Sequence, residues 1–275
     1  MGFANLFKAM TWRLAKGRIG KAFAAVYALL IVGGVVALKA IGADASISAA
    51  VSETSSDVAL GLSVLSPGLG GVDLMRACGA LFVRGSFVAM LVAVFCSLFF
   101  AKDVRSGGVK NIVQGRTARR DYALAAGVLT LAVAAFAVLA GALVSVVSLA
   151  ALGFPLAALA PGELVSWLAE VWLAVSAYAV VVVVVALLTG SEAVSVVAGL
   201  MLGGAAVENL LYAALGLVTG HPDEVRQVFG GYLAMMLSRL GDGTVLPGEA
   251  VVPALATVAI AVAAGALVMR RRRLA

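Results

Sequence analysis

The fold is decided by stretches such as VSWLAEVWLAVSAYAVVVVVVALLT, residues 165–189, in which Glu170 is the single charged side chain. A run of about 20 apolar residues is long enough for a helix to cross the hydrocarbon core of a bilayer. Inside that core, the backbone finds hydrogen-bond partners only within a helix or a closed barrel. The stretch therefore predicts a membrane-spanning helix.

Similar apolar runs recur along the chain, and together with the first they predict six spans. The others lie at about 22–41, 79–100, 122–150, 194–217 and 250–269. Charged residues make up 12% of the 275 positions, about half of their share in a soluble domain. We therefore expect an all-α membrane protein that forms one domain, residues 1–275.

The distribution of basic residues predicts the orientation. If both termini are cytoplasmic, fifteen of the twenty Lys and Arg residues fall on the inner side. This excess is the positive-inside rule of multi-pass proteins, so the net charge of +6 does not indicate nucleic-acid binding. We expect a protein of the cell (plasma) membrane. Its first span is longer than a signal-peptide core, so we expect no cleavage there.

Short helices are expected outside the spans. Residues 3–18 predict an amphipathic helix on the inner membrane surface, the alternative being a short cytoplasmic tail. Residues 218–249 predict one or two short outer helices before the sixth span. The apolar face of the N-terminal helix would consist of Phe3, Leu6, Phe7, Met10 and Leu14.

A compact basic segment separates the second and third predicted spans. Ser106 is placed to cap a short helix, and Gly115 is placed to end it. Between them Val109, Ile112 and Val113 form one apolar stripe, because they follow the i, i+3, i+4 spacing. The segment predicts a short cytoplasmic helix suited to a groove on a partner protein. The alternative is a positive loop that only fixes the topology.

This segment resembles the membrane subunits of ABC-2 type transporters, particularly those related to antimicrobial-peptide and lantibiotic immunity permeases. Their pattern is an acidic residue, a Gly, a V-K-N-I-like run, a second Gly, an Arg and an aromatic residue that opens span three. The corresponding positions, together with Val113 of the apolar stripe, are Asp103, Gly107, Val109, Lys110, Asn111, Ile112, Gly115, Arg119 and Tyr122.

The resemblance implies a permease subunit of an exporter. Two such subunits, identical or paralogous, would sit on separate ABC ATPase subunits, which would bind ATP and Mg. The short helix would be the coupling helix that passes movements of the ATPase to the spans. Export of, or immunity to, antimicrobial peptides is the role that the resemblance implies.

Four polar residues within or near the spans are candidates for a translocation path: Arg84, Glu170, Glu208 and Asn209. Charged residues at membrane depth usually face a cavity or a partner. The alternative is that they reach toward the surface or tie the outer helices together. In span five, Gly199 and Gly203 form a G-x-x-x-G pattern, which suits either internal packing or a dimer contact.

Enzymatic motifs are absent from the sequence. It contains no G-x-x-x-x-G-K-[ST] phosphate loop and no G-x-S-x-G, and its one histidine, His221, excludes an H-E-x-x-H zinc site. We therefore expect no catalysis, no metal and no cofactor bound by this chain. The rival interpretations are a non-transporting immunity or sensory protein of the membrane, and an intramembrane enzyme built on Arg84, Glu170 and Glu208.

Overall fold

The computed structural model describes residues 3–43, 72–106, 116–157, 161–203, 206–221, 233–242 and 245–271. Within these ranges the chain is helical apart from short links, and its only β-type pairing is an isolated bridge between Val72 and Leu156. The expected all-α class is therefore confirmed.

Ten α-helices are described. They are α1 (Phe3–Lys16), α2 (Arg18–Ala43), α3 (Leu74–Cys78), α4 (Phe87–Arg105), α5 (Arg116–Ala151), α6 (Pro161–Thr189), α7 (Glu192–Gly203), α8 (Ala206–Thr219), α9 (Leu233–Asp242) and α10 (Val251–Arg271).

Five of these helices, α2, α4, α5, α6 and α10, are long and apolar enough to cross a membrane. They match five of the predicted spans. The predicted fifth span, 194–217, is covered by α7 and α8, which lie on either side of residues 204–205. At 1.5 Å per residue, the 12 residues of α7 extend only about 18 Å, too short to cross alone.

The start of the second predicted span differs from the expected continuous α-helix over 79–100. Residues Gly79–Val83 form a π-helix, Arg84–Ser86 form a 3-10 turn, and α4 begins only at Phe87. Ser86 has a φ of 58°, in the left-handed region, so the α-helix cannot run through it. Hydropathy missed this break because 79–100 is apolar as a whole, with Arg84 as its single charged residue.

Helix α6 forms the centre of the bundle and packs against α4, α5, α7, α9 and α10. Fourteen of its 29 residues are buried, twelve of them between Val171 and Leu187, which fits its lack of a polar face. Small residues such as Ala174, Ala177 and Ala186 are fully buried and allow neighbouring helices to approach closely. Outer helices instead expose apolar side chains, including Leu29, Phe136 and Ile260, as a lipid-facing surface would.

The bundle has two ends. At one end, which we call the α1 end, α1 packs against α2 and α5 and buries Leu6 and Met10. A helix at the predicted N-terminal position is thus confirmed, ending at Lys16 rather than at residue 18, while its place on the inner membrane surface stays a prediction. Part of the apolar face of α1 therefore packs against the other helices of the protein.

At the opposite end, the far end, short segments join the helices. The Lys39 ammonium donates to the carbonyl of Leu152 over 2.6 Å, which links the ends of α2 and α5. The indole nitrogen of Trp167 donates to the carbonyl of Leu240 over 3.0 Å, which fixes α9 on the first turns of α6. Helix α9 confirms a short helix before the last span, while residues 222–232 of the predicted outer helices lie outside the described ranges.

Candidate functional site

Three of the ten predicted coupling residues are described: Asp103, Arg119 and Tyr122. They lie on the two helices that flank the predicted coupling helix at the α1 end. The other seven, which all fall within residues 107–115, lie outside the described ranges: Gly107, Val109, Lys110, Asn111, Ile112, Val113 and Gly115.

Asp103 is buried at the carboxyl end of α4, with 4% of its surface exposed. That end of a helix carries the negative pole of the dipole, so a buried carboxylate there depends on partners. Arg13 of α1 supplies them with a two-pronged contact: its Nη1 donates to Oδ2 over 3.0 Å and its Nη2 donates to Oδ1. Such a bidentate pair is stronger and more directional than a single hydrogen bond.

Tyr122 of α5 completes this group, which we call the Asp103 cluster (Arg13, Asp103 and Tyr122). The Tyr122 hydroxyl donates to Oδ2 of Asp103 over 3.4 Å, and its ring is 1% exposed. The guanidinium of Arg13 also lies 5.8 Å from the centre of the Phe99 ring. Three helices, α1, α4 and α5, therefore meet on one carboxylate.

The charge of Arg13 is favoured by this arrangement. Hydrogen bonding to Asp103 raises the pKa of the Arg13 guanidinium, although its partial burial acts in the opposite direction. In the sequence, Arg13 is one of the fifteen basic residues expected on the cytoplasmic side. Its partner is 90 positions away, so no local spacing could have revealed the pair.

Ser106 is predicted to cap a following helix, but residues 107–115 lie outside the described ranges. It forms the carboxyl cap of α4, and its hydroxyl donates to the carbonyl of Asp103 over 3.2 Å. Arg119 lies near the start of α5 and is partly buried. The predicted coupling segment is therefore bounded by a capped helix on one side and by a long helix on the other.

A fourth helix reaches the same end. Nη1 of Arg105, on α4, lies 3.6 Å from Oε1 of Glu192, the first residue of α7, and the two side chains are 73% and 40% exposed. The tight link before α7 turns at Gly190, whose φ is 66°. An exposed pair of this kind contributes only about 0–1 kcal/mol, so it marks proximity more than strength.

Of the four candidate residues for a translocation path, two make local contacts at the far end and two have side chains that lie outside the description. Arg84 lies 3.4 Å from Asp242 of α9. Glu170 accepts a hydrogen bond from the N–H of Gly248 over 2.8 Å. Both contacts favour the alternative in which these residues tie short far-end segments to the spans. The side chains of Glu208 and Asn209, on α8, lie outside the description.

Gly199 packs inside the chain. A Cβ added to it would lie 2.8 Å from Cγ2 of Val94, so the glycine lets α7 approach α4 closely. This favours internal packing for Gly199. Gly203 ends α7, and its surroundings are not described. Among the described residues, no three His, Cys, Asp or Glu side chains lie close enough together to hold a metal ion.

Comparison with known proteins does not assign the chain to a family. No protein-family model matches the chain, and no curated protein matches its sequence. Its class is therefore defined by composition and fold: an all-helical protein with five helices suited to crossing a membrane.

Proposed function

We propose that the chain is the membrane-spanning subunit of an ABC-2 type transporter, an exporter driven by a separate ATPase subunit. The observation that carries the proposal is the Asp103 cluster, which fastens α1 and α5 to the end of α4. It lies directly beside the segment whose sequence resembles a coupling helix. A segment that transmits force needs such stiff attachments.

The mechanism follows from the distances along the chain. Asp103 precedes Gly107 by four residues, and Tyr122 follows Gly115 by seven. A displacement of residues 107–115 would therefore act on two helix ends that are bound to each other and to α1. Because α4 also packs on the central helix α6, the movement would reach the middle of the bundle.

A six-span layout with both termini in the cytoplasm is part of the proposal. Helix α7 begins at the α1 end, beside Arg105, whereas α9 lies at the far end, beside Arg84. Between Glu192 and Leu233 the chain must therefore pass from one end to the other. Together, α7 and α8 supply enough helix for a fifth crossing of the plasma membrane.

The remaining parts of the transporter would be other proteins. This chain has no phosphate loop, so ATP and Mg would be bound by the partner ATPase. A second permease subunit, identical or paralogous, would complete the pathway. Export of antimicrobial peptides, or immunity to them, is the cargo role that the resemblance supports.

The experiment is co-purification in a mild detergent, followed by mass spectrometry of the associated chains. We expect an accompanying subunit that carries a phosphate loop, and an ATPase activity that changes when this chain is present. Ile112→Asp and Gly107→Pro should abolish that change while the thermal midpoint stays near that of the wild type. Lys8→Asp changes an exposed charge on α1 and serves as the control. It should leave the effect of this chain on the ATPase activity intact.

Two outcomes would contradict the proposal. One is a purified complex without any nucleotide-hydrolysing subunit, which would favour a non-transporting immunity or sensory protein of the membrane. The other is an ATPase that behaves identically with the wild type, with Ile112→Asp and with no permease at all.

A further inference from the structure

A cavity of about 320 Å³ opens at the far end of the bundle. Its walls come from the start of α6, from the segment around α3, from α9 and from the link before α10. The lining residues are Asp73, Met75, Arg76, Glu163, Ser166, Trp167, Glu170, Leu240, Val245 and Pro247. Cavities that hold small organic ligands have volumes of about 300–1,000 Å³, so this one is at the lower end of that range.

Glu170 is the unusual member of the lining. It is 6% exposed, and only one of its two oxygens is engaged: Oε1 accepts from the N–H of Gly248 over 2.8 Å. The other oxygen, Oε2, is buried and has no hydrogen-bond partner among the described residues. A buried carboxylate oxygen without a donor is costly, so such a group in a native site calls for an explanation.

The other charges of the lining are predominantly negative. Asp73 and Glu163 are carboxylates, and Arg76 is the one basic residue among the lining residues. Its guanidinium already lies 3.7 Å from the Asp73 carboxylate. Glu170 therefore receives no cation from the walls that are described.

The remaining surface of the cavity is apolar, and its aromatic ring has a fixed position. The indole of Trp167 is buried, and its N–H is used by the carbonyl of Leu240, so its ring has a fixed position. Met75, Val245 and Pro247 add apolar area around it. An aromatic ring beside a carboxylate suits an organic cation, because the ring face also attracts positive charge.

We propose that this cavity binds a protonated primary amine that carries a small apolar body. The ammonium group would donate an N–H to the Glu170 carboxylate, whose Oε2 would turn from its buried position toward the cavity, and the apolar body would rest against Trp167 and its neighbours. A metal ion fits less well, since no three potential metal-ligating side chains cluster among the described residues. The inference stands apart from ATPase coupling, because binding requires this chain alone.

The test measures binding of phenethylammonium to the full chain in nanodiscs of zwitterionic lipid, by calorimetry or ligand-observed NMR. The neutral isostere 2-phenylethanol and the trimethylated ammonium, which has no N–H, are the matched ligands. We expect the primary ammonium to bind about tenfold or more tightly than either, because a charge-assisted hydrogen bond is made only by it.

The variant arm uses Glu170→Gln, which can still accept from Gly248. We expect this change to lower the affinity for phenethylammonium to that for 2-phenylethanol. The control is Glu192→Gln, which removes the same charge at the α1 end and should bind like the wild type. Both variants are compared only if their thermal midpoints show a folded protein.

Equal affinity of the wild type for the ammonium and the alcohol would overturn the proposal, even if Glu170→Gln did not fold. Unchanged affinity in a folded Glu170→Gln variant would overturn it as well. Neither result would bear on the ATPase partner, which is tested at residues 107–115.

Discussion

At the scale of single residues, the two members of the Arg13–Asp103 pair are unequal. The Asp103 side chain is 5% exposed, whereas 46% of the Arg13 side chain is exposed. If Asp103 is removed, Arg13 can turn to water. If Arg13 is removed, the carboxylate stays buried with only Tyr122 as a described side-chain partner.

We therefore predict that Arg13→Met destabilises the protein more than Asp103→Asn. The first change should cost about 3 kcal/mol, the low end of the range for breaking a buried pair, because Arg13 is half exposed. The second should cost about 1–2 kcal/mol through lost hydrogen bonds. The measurement is the free energy of unfolding in detergent by denaturant titration.

Arg105→Met is the control for this comparison. It breaks the exposed pair with Glu192 and should cost less than about 1 kcal/mol. Equal losses for Arg13→Met, Asp103→Asn and Arg105→Met would show that the Asp103 cluster does not hold α1 to the bundle.

A second prediction at this scale concerns Glu249, in the link between α9 and α10. Hydrogen bonding from Arg239, and then from the N–H of Leu246, lowers the pKa of the Glu249 carboxyl. A lowered folded-state pKa adds stability above the unfolded value of about 4.3. That stability is lost as the pH falls through the lower folded-state value.

Melting temperatures of the wild type and Glu249→Gln should therefore differ at neutral pH and converge as the pH falls through the lowered folded-state pKa of Glu249. The substitution removes the titrating group but keeps the side-chain size, so the difference isolates this one carboxyl. A difference that stays constant across the range would mean that its ionisation does not contribute.

At the scale of elements, the sequence predicted the long helices well, because composition alone determines which segments prefer hydrocarbon. Helix α6 extends only a few residues beyond its predicted bounds of 165–189. The break over Gly79–Ser86 was not predicted; α9 packs against it, and a contact between segments so far apart in the sequence leaves no local pattern. The role of Arg13 was missed for a related reason. Hydropathy indicates whether a segment prefers lipid or water, but not which residue a side chain contacts.

The contact between the π-helix and α9 gives a third prediction. A Cβ added to Gly79 would collide with the backbone carbonyl of Gly241, and one added to Gly241 would lie 2.9 Å from the nitrogen of Arg84. Backbone atoms cannot move aside as a flexible side chain can. We expect Gly79→Ala to cost about 1–3 kcal/mol through overpacking.

Gly33→Ala in α2 is the matched control, because no atom lies within 4 Å of the added Cβ. It should be neutral or stabilising by up to about 1 kcal/mol, given the helix preference of Ala. Thermal unfolding of both variants checks the pair. Similar midpoints for Gly79→Ala and Gly33→Ala would contradict the close approach of α9.

At the scale of the whole molecule, the two described ends of the chain lie at the same end of the bundle. Helix α10 starts beside the far-end link, and its Gly265 packs on Val184, near the carboxyl end of α6. Helix α1 lies at that end too, since Arg13 contacts the carboxyl end of α4. An even number of crossings follows if α7 and α8 together traverse the membrane.

We predict that Ala4→Cys and Ala275→Cys are labelled by a membrane-impermeant maleimide from the same side, which should be the cytoplasmic side. The two native thiols, Cys78 and Cys96, are free and buried, so background labelling should be low. Labelling from opposite sides would mean five crossings and would exclude the six-span layout.

The central position of α6 has a consequence for biogenesis. Its neighbours include helices made earlier, α4 and α5, and a helix made later, α10. During synthesis α6 is therefore made with one flank bare, and that flank is covered only after α10 has been made. A nascent chain stalled before Val251 would expose this uncovered flank of α6 to the quality-control proteases of the membrane.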